Sequence, residues 1–231
     1  MMMTALLTIA YRDVLKLFRD RMRLIVSLVF PFVFVGILGG SLDANLSGTV
    51  GYNFLLFVYT GVLAQTMFQS TASGIISLIQ DKENDFAQEM FVAPVPRPII
   101  LFGKVLGETA VALIQLGGLA VMGVVLGVPF SLIDWVRMFP ILVLCCLLGG
   151  AFGALIMSNL NDQRKANQIF PFIIFPQFFL AGVFSPIKEL PWYLFTLSRI
   201  APMTYAVDLF RSVFYWGRPE YAQIVLFHPL L

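Results

Sequence analysis

Histidine occurs once in the 231 residues, as His228, and cysteine twice, as the adjacent Cys145 and Cys146. A zinc or haem site would have to rely on almost one imidazole, so such chemistry is disfavoured. Neighbouring cysteines diverge around a helix, which leaves no disulfide framework and gives both a packing role. The chain has no glycine-rich phosphate loop ending in Lys-Ser or Lys-Thr, no HExxH, no CxxC pair, and no Ser, His and Asp that sequence can nominate as a triad. It is therefore read as no enzyme: catalytic, cofactor and metal residues are all absent. Charge is scarce too, at 12% of residues, and a net charge of +2 gives no footprint for nucleic acid.

What fills the chain instead is apolar side chains, 59% of residues with 23 phenylalanines, a composition foreign to a water-soluble domain. Uncharged stretches run from Leu24 to Leu42, Ala44 to Gln80, Thr109 to Ile133, Met138 to Asn161 and Ala166 to Ile187. Each is near or above the ~20 residues needed to cross a ~30 Å hydrocarbon core, so five spans are expected. β-Barrel strands would be ~10 residues long with alternating polarity. These runs stay apolar for several turns, and helices satisfy their own backbone in lipid. The first run follows Arg12, Lys16, Arg19, Arg21 and Arg23 and lacks a small-residue cleavage site, so it reads as a retained helix.

With the amino terminus placed in the cytoplasm, ten basic residues fall inside and five outside, and the loops 43–51 and 127–134 hold no Lys or Arg. That distribution follows the positive-inside bias. Residues 4–23 repeat apolar positions at about 3.6 residues opposite Arg12, Asp13, Lys16, Arg19 and Asp20, as in a helix lying in the headgroup plane.

The segment 186–218 is cut by Pro191 and Pro202, carries Glu189, Arg199, Asp208 and Arg211, and is rich in aromatics. Its charge-free pieces are too short to span, so short re-entrant or interfacial helices are expected on the outer face. Arg199 and Asp208 are read as interfacial anchors, with a buried functional charge as the other option. Pro171 and Pro176 must disturb the fifth run, either framing a pathway or serving packing. Gly36/Gly40, Gly103/Gly107, Gly123/Gly127 and Gly149/Gly153 share the four-residue spacing that permits close helix approach. Glu108 is the one charge near membrane depth that a coupled carrier could use, and its simpler role is a hydrogen bond at the interface.

The polar island QDKENDFAQEMFVAPVPRPIILFGK, Gln80 to Lys104, sets acidic residues beside Phe86, Met90 and Phe91 before Pro94, Pro96 and Pro98 stop the helix. A short two-faced helix capped by a rigid turn suits docking on another protein; a solvated loop is the plainer reading. The second inner loop, 158–168, is either a minor contact or a solvated turn.

In this order of features the chain resembles the membrane-spanning permease of ABC-2-type transporters, the drug, lipid and polysaccharide exporters. The resemblance covers essentially the whole sequence. It is carried by the basic amphipathic segment, by SLIQDKENDFAQEMFVAPVPRPIILFGKVLGE, and by FFLAGVFSPIKELPWYLFTLSRIAPMTYAVDLFRSVFYWG. It implies an all-α polytopic membrane protein: one domain over 1–231 with an N-terminal interfacial helix (4–23), a cytoplasmic coupling segment (80–98) and outer re-entrant helices (186–218). By the same resemblance Glu83, Asp85, Glu89, Phe91 and Arg97 are the residues that couple to the ATPase.

The implied activity is ATP-driven export of an amphipathic drug, lipid or polysaccharide-like substrate by alternating access. ATP would be used by separate cytoplasmic ABC ATPase subunits and no cofactor bound directly. A second permease copy or homologue and membrane lipids are the other partners, and the plasma membrane is the location. The family pattern has six spans, whereas Tyr221 to Leu231 would cover only about 16 Å as a helix. A truncated carboxy terminus is therefore expected. Two other classes stay open: an ion-coupled secondary transporter and a noncatalytic membrane scaffold.

Overall fold

The computed structural model describes residues 2–41, 51–83, 96–160 and 162–226. Among them there is no strand. Three helices are long and apolar enough to cross a membrane, through Phe54–Ile79, Pro98–Val125 and Leu132–Asn159. They form the trunk of the molecule.

Helix α1 (Met2–Arg19) stops one residue short of α2 (Arg21–Val33), which passes into a π-helical segment, Phe34–Gly39. The predicted helix over 4–23 is thus two elements joined at Asp20, whose N–H still donates to the Lys16 carbonyl at 3.0 Å. Pro31 lies inside α2 one turn before the π segment. It removes a backbone donor where the regular ladder widens.

Helix α3 (Phe54–Glu83) is 30 residues, about 45 Å at 1.5 Å per residue, and is the most buried element of the trunk. It packs most extensively on α5 (Leu132–Asn159), then on α4 (Arg97–Val125). Two glycines make the α3–α5 approach possible. A Cβ on Gly149 would run into the Phe68 carbonyl and one on Gly153 would lie 2.5 Å from the Ala72 carbonyl. Only a missing side chain lets the two backbones meet so closely. The Gly103/Gly107 pair does the same for α1 on α4, since a Cβ at Gly107 would sit 2.9 Å from the Ala10 Cα. Gly40 and Gly127 face open space, so the other two pairs do not act as paired contacts.

Helix α5 begins earlier than its uncharged run because Ser131 and Asp134 form a reciprocal capping box, Ser131 N–H to Asp134 Oδ2 at 2.9 Å and Asp134 N–H to Ser131 Oγ at 3.2 Å. Helix α6 (Gln163–Leu180) starts at the Asp162 cap and continues through both Pro171 and Pro176, each of which removes one donor from the ladder. The carbonyls that the prolines leave unpaired are tolerated without loss of the helix.

The fifth run therefore has a helix shorter than the stretch 166–187. It ends because Gly182 takes φ +73, a left-handed conformation, with Pro186 following. A 3-10 turn (Ile187–Glu189) and the helices α7 (Trp192–Ser198), α8 (Pro202–Phe214) and α9 (Tyr221–Ile224) follow. Of these, α8 is buried against α3 and α5.

Candidate functional site: a polar cavity between two buried charged clusters

The sequence-predicted coupling residues divide in two. Asp85, Glu89 and Phe91 lie outside the described residues. Glu83 ends α3 and Arg97 opens α4, so the flanks of the 80–98 segment belong to two trunk helices.

Helix α4 then carries a buried ion cluster. Lys104 Nζ donates to Asp13 Oδ1 at 2.9 Å and lies 2.8 Å from Glu108 Oε1, one turn further along α4. All three side chains are about 1% exposed. Arg12 adds a longer contact to Asp13 Oδ1 at 3.5 Å. Opposite charges buried in contact compensate each other, whereas any one of them alone would be expensive. Glu108 is thus an internal ion-pair member and not an interfacial hydrogen bonder. Asp13, placed by the sequence on a solvated charged stripe, faces inward.

Lys16, Arg19 and Asp20 of the same stripe stay exposed, so α1 is not cleanly divided into a charged outer and an apolar inner face. Its outward positions include Met3, Leu7, Tyr11 and Phe18, all more than half exposed. In a membrane protein such a stripe suits lipid contact. Glu108 itself is accommodated by Gly74 of α3, where any Cβ would collide with the carboxylate.

Two turns further along α4, a cavity of about 350 Å³ opens between α2, α3 and α4. Helix α3 presents Gln65, Gln69 and Ser73 to it at four-residue spacing, together with Thr66 and Ser70. Gln115 closes it from α4, and Val26, Ser27, Phe30 and Pro31 from α2. Gln65 Nε2 donates to Gln69 Oε1 at 2.5 Å, while Ser70 Oγ and Gln115 Oε1 are buried without a protein partner. Among the described lining residues none is charged. The α2–α4 groove on the neighbouring face is wholly apolar, lined by Leu28, Val29, Phe32, Leu119 and Met122 among others.

Phe30 of the cavity wall belongs to an aromatic cluster. Phe30 meets Phe34 at 4.3 Å and Phe178 of α6 at 6.0 Å between ring centroids, and Phe34 reaches Phe184 at 5.6 Å. Behind it lies Arg211 of α8. Its Nη1 donates to the Gly182 carbonyl at 2.6 Å, and its Nη2 to the carbonyls of Phe57 and Val183 at 2.9 and 3.2 Å. The guanidinium lies 3.7 Å from the Phe57 ring centroid, and a Cβ on Gly61 would be 2.6 Å from Nη2. Burial pulls its pKa down to about 10, which leaves it charged at neutral pH. Arg211 thereby pins three elements, α3, α8 and the turn after α6.

Asp208, one turn before it, is buried and accepts from the Leu226 N–H at 2.8 Å. The anchor reading therefore fails for Asp208. Arg199 is exposed, 5.3 Å from the Phe195 ring centroid.

The sequence reading missed the cavity and the clamping roles of Asp13, Lys104 and Arg211. The signals were available in part: Gln65, Gln69 and Ser73 recur every four residues in an apolar run, and Lys104 and Glu108 sit at i and i+4 beside two close-packing glycines.

The described residues thus form an all-helical bundle of apolar trunk helices with a polar cavity between α2, α3 and α4. The chain belongs to the ABC-2 type transporter family, whose model matches residues 4–215. It is similar to the inner membrane transport permease YadH of Escherichia coli K12, 27% identical over 192 residues that cover 82% of this chain and 73% of that protein. It is also similar to nodulation protein J of Rhizobium meliloti, 26% identical over 81% of this chain and 72% of that one. Permeases of this family work with ABC ATPase subunits.

Proposed function

We propose that the chain is the permease subunit of an ATP-driven exporter in the plasma membrane, with its amino terminus in the cytoplasm and ATP hydrolysed by a separate ABC ATPase. It pairs with a second permease around the pathway and moves an amphipathic, drug-, lipid- or polysaccharide-like cargo by alternating access. The ATPase docks on the 80–98 segment, with Glu83, Asp85, Glu89, Phe91 and Arg97 as its contacts.

One observation carries this reading: α4 starts at Arg97, within the last residues of that segment, is clamped to α1 by the buried Lys104 cluster, and reaches the cavity at Gln115. A displacement at its first turn is carried to the cavity by one helix. Coupling of this kind needs a physically continuous element that both sites bias.

The test is purification of the intact complex from native membrane. An ABC ATPase should co-purify, and Glu83→Gln with Phe91→Ala should abolish transport-coupled hydrolysis.

The second reading, an ion-coupled carrier, is favoured by the buried carboxylates Asp13 and Glu108. Transport that persists without any ATPase and collapses with the proton or sodium gradient would establish it and remove the first.

A further inference from the structure

We infer that the cavity between α2, α3 and α4 binds the uncharged, hydrogen-bonding head of an amphipathic molecule, one bearing hydroxyl or amide groups, and rejects cationic and anionic heads. That the bound molecule is also cargo rests on the transport reading above; the binding does not.

The head is specified by what lines the cavity. Among the described lining residues the polar groups are amides and hydroxyls, drawn from three helices, with no Asp, Glu, Lys or Arg. Gln115 Oε1 is an acceptor and the Ser70 hydroxyl a donor and acceptor, both at least nine-tenths buried and lacking a protein partner. The Gln65–Gln69 bond uses one donor and one acceptor of that pair and leaves an amide oxygen and an amide N–H for a ligand. Buried polar atoms are ordinarily paired, so this concentration of unused donors and acceptors describes a partner that offers both.

A charged head would lose its hydration here and meet no opposite charge among the described lining residues. A buried ion cluster reaches α3 at Gly74, next to the lining Ser73, but its lysine is already engaged by two carboxylates. A hydroxyl or amide head exchanges its bonds to water for bonds to the glutamines at little cost. The α2 wall, Val26, Phe30 and Pro31, supplies apolar surface beside these groups, which fits a molecule with an apolar body. The volume of about 350 Å³ is at the small end of ligand sites and suits a head group better than a whole large molecule.

The experiment uses membrane vesicles holding the full-length protein with its native partners. Three photoreactive dodecyl probes with one tail and different heads, a glucoside, a trimethylammonium and a sulfate, are cross-linked without ATP, and adducts are mapped on peptides. The glucoside should label 26–31 and 65–73 at least ten-fold more than either charged probe. Gln69→Leu, and separately the milder Ser70→Ala, should reduce that labelling. Gln69→Glu should shift preference toward trimethylammonium.

Equal labelling by all three heads, preference for a charged head in the native chain, or no adducts in these stretches overturns the inference. Because the readout needs no nucleotide, glucoside selectivity without an associated ATPase would sink only the ATP-driven reading. Loss of selectivity with coupled hydrolysis intact would sink only this one.

Discussion

Lys104 of α4 holds Asp13 of α1 at 2.9 Å, across 91 positions of sequence, with both side chains removed from solvent. With Glu108 on the other side of the ammonium, this contact makes the first turns of α4 and the whole of α1 one mechanical unit.

Removing the cation alone should be worse than removing the cluster. Lys104→Met leaves two buried carboxylates facing each other and is expected to cost about 3–5 kcal/mol. Asp13→Asn, Lys104→Met and Glu108→Gln combined should recover most of that loss. Thermal unfolding in lipid nanodiscs checks the order of the two variants; equal midpoints would show that the charges do not interact.

Glycine spacing makes a contrasting pair. At Gly149 the added methyl meets the Phe68 backbone carbonyl, so Gly149→Ala should separate α3 from α5 and cost about 1–3 kcal/mol. Gly40 has helical φ and nothing near its missing Cβ, so Gly40→Ala should be neutral or stabilising by up to about 1 kcal/mol. The same unfolding assay reads both.

Arg211 makes its contacts through a planar fork that lysine cannot reproduce. Arg211→Lys should leave at least one of the Gly182, Val183 and Phe57 carbonyls without its bond and cost about 1–3 kcal/mol. Hydrogen exchange should accelerate in residues 181–190 and at the start of α3, with the α1–α4 contact unaffected. Uniform acceleration over the chain would mean that Arg211 acts on global stability alone.

Much of the architecture was legible because run length and the demand of lipid for satisfied backbone act locally: the all-helical class and the short helices after Pro186 follow from those two constraints, and of the five expected spans three are helices long and apolar enough to cross among the described residues. The exposed apolar positions of α1 were readable only in part: Leu7 and Phe18 of the periodic stripe are exposed, whereas Leu17 is buried. Whether Asp13 faced water or protein was not, since that depends on Lys104, and no local pattern links them. Two of the four glycine pairs form helix contacts, and spacing alone does not say which face a neighbour covers. The cavity needed three helices to exist at all. Its α3 stripe of Gln65, Gln69 and Ser73 was visible, but the closure by Gln115 and Phe30 was a tertiary fact.

The central claim, that work done on the segment before α4 reaches the cavity through the Lys104 clamp, is tested most directly by one rate. In the assembled transporter, Gln69→Cys is reacted with a maleimide in the nucleotide-free and ATP-trapped states, against the slow background of the buried Cys145 and Cys146. The account predicts a several-fold difference in rate between the two states that disappears when Asp13, Lys104 and Glu108 are neutralised together. The same rate in both states while ATP is being hydrolysed, or a difference that survives the neutral cluster, would contradict it.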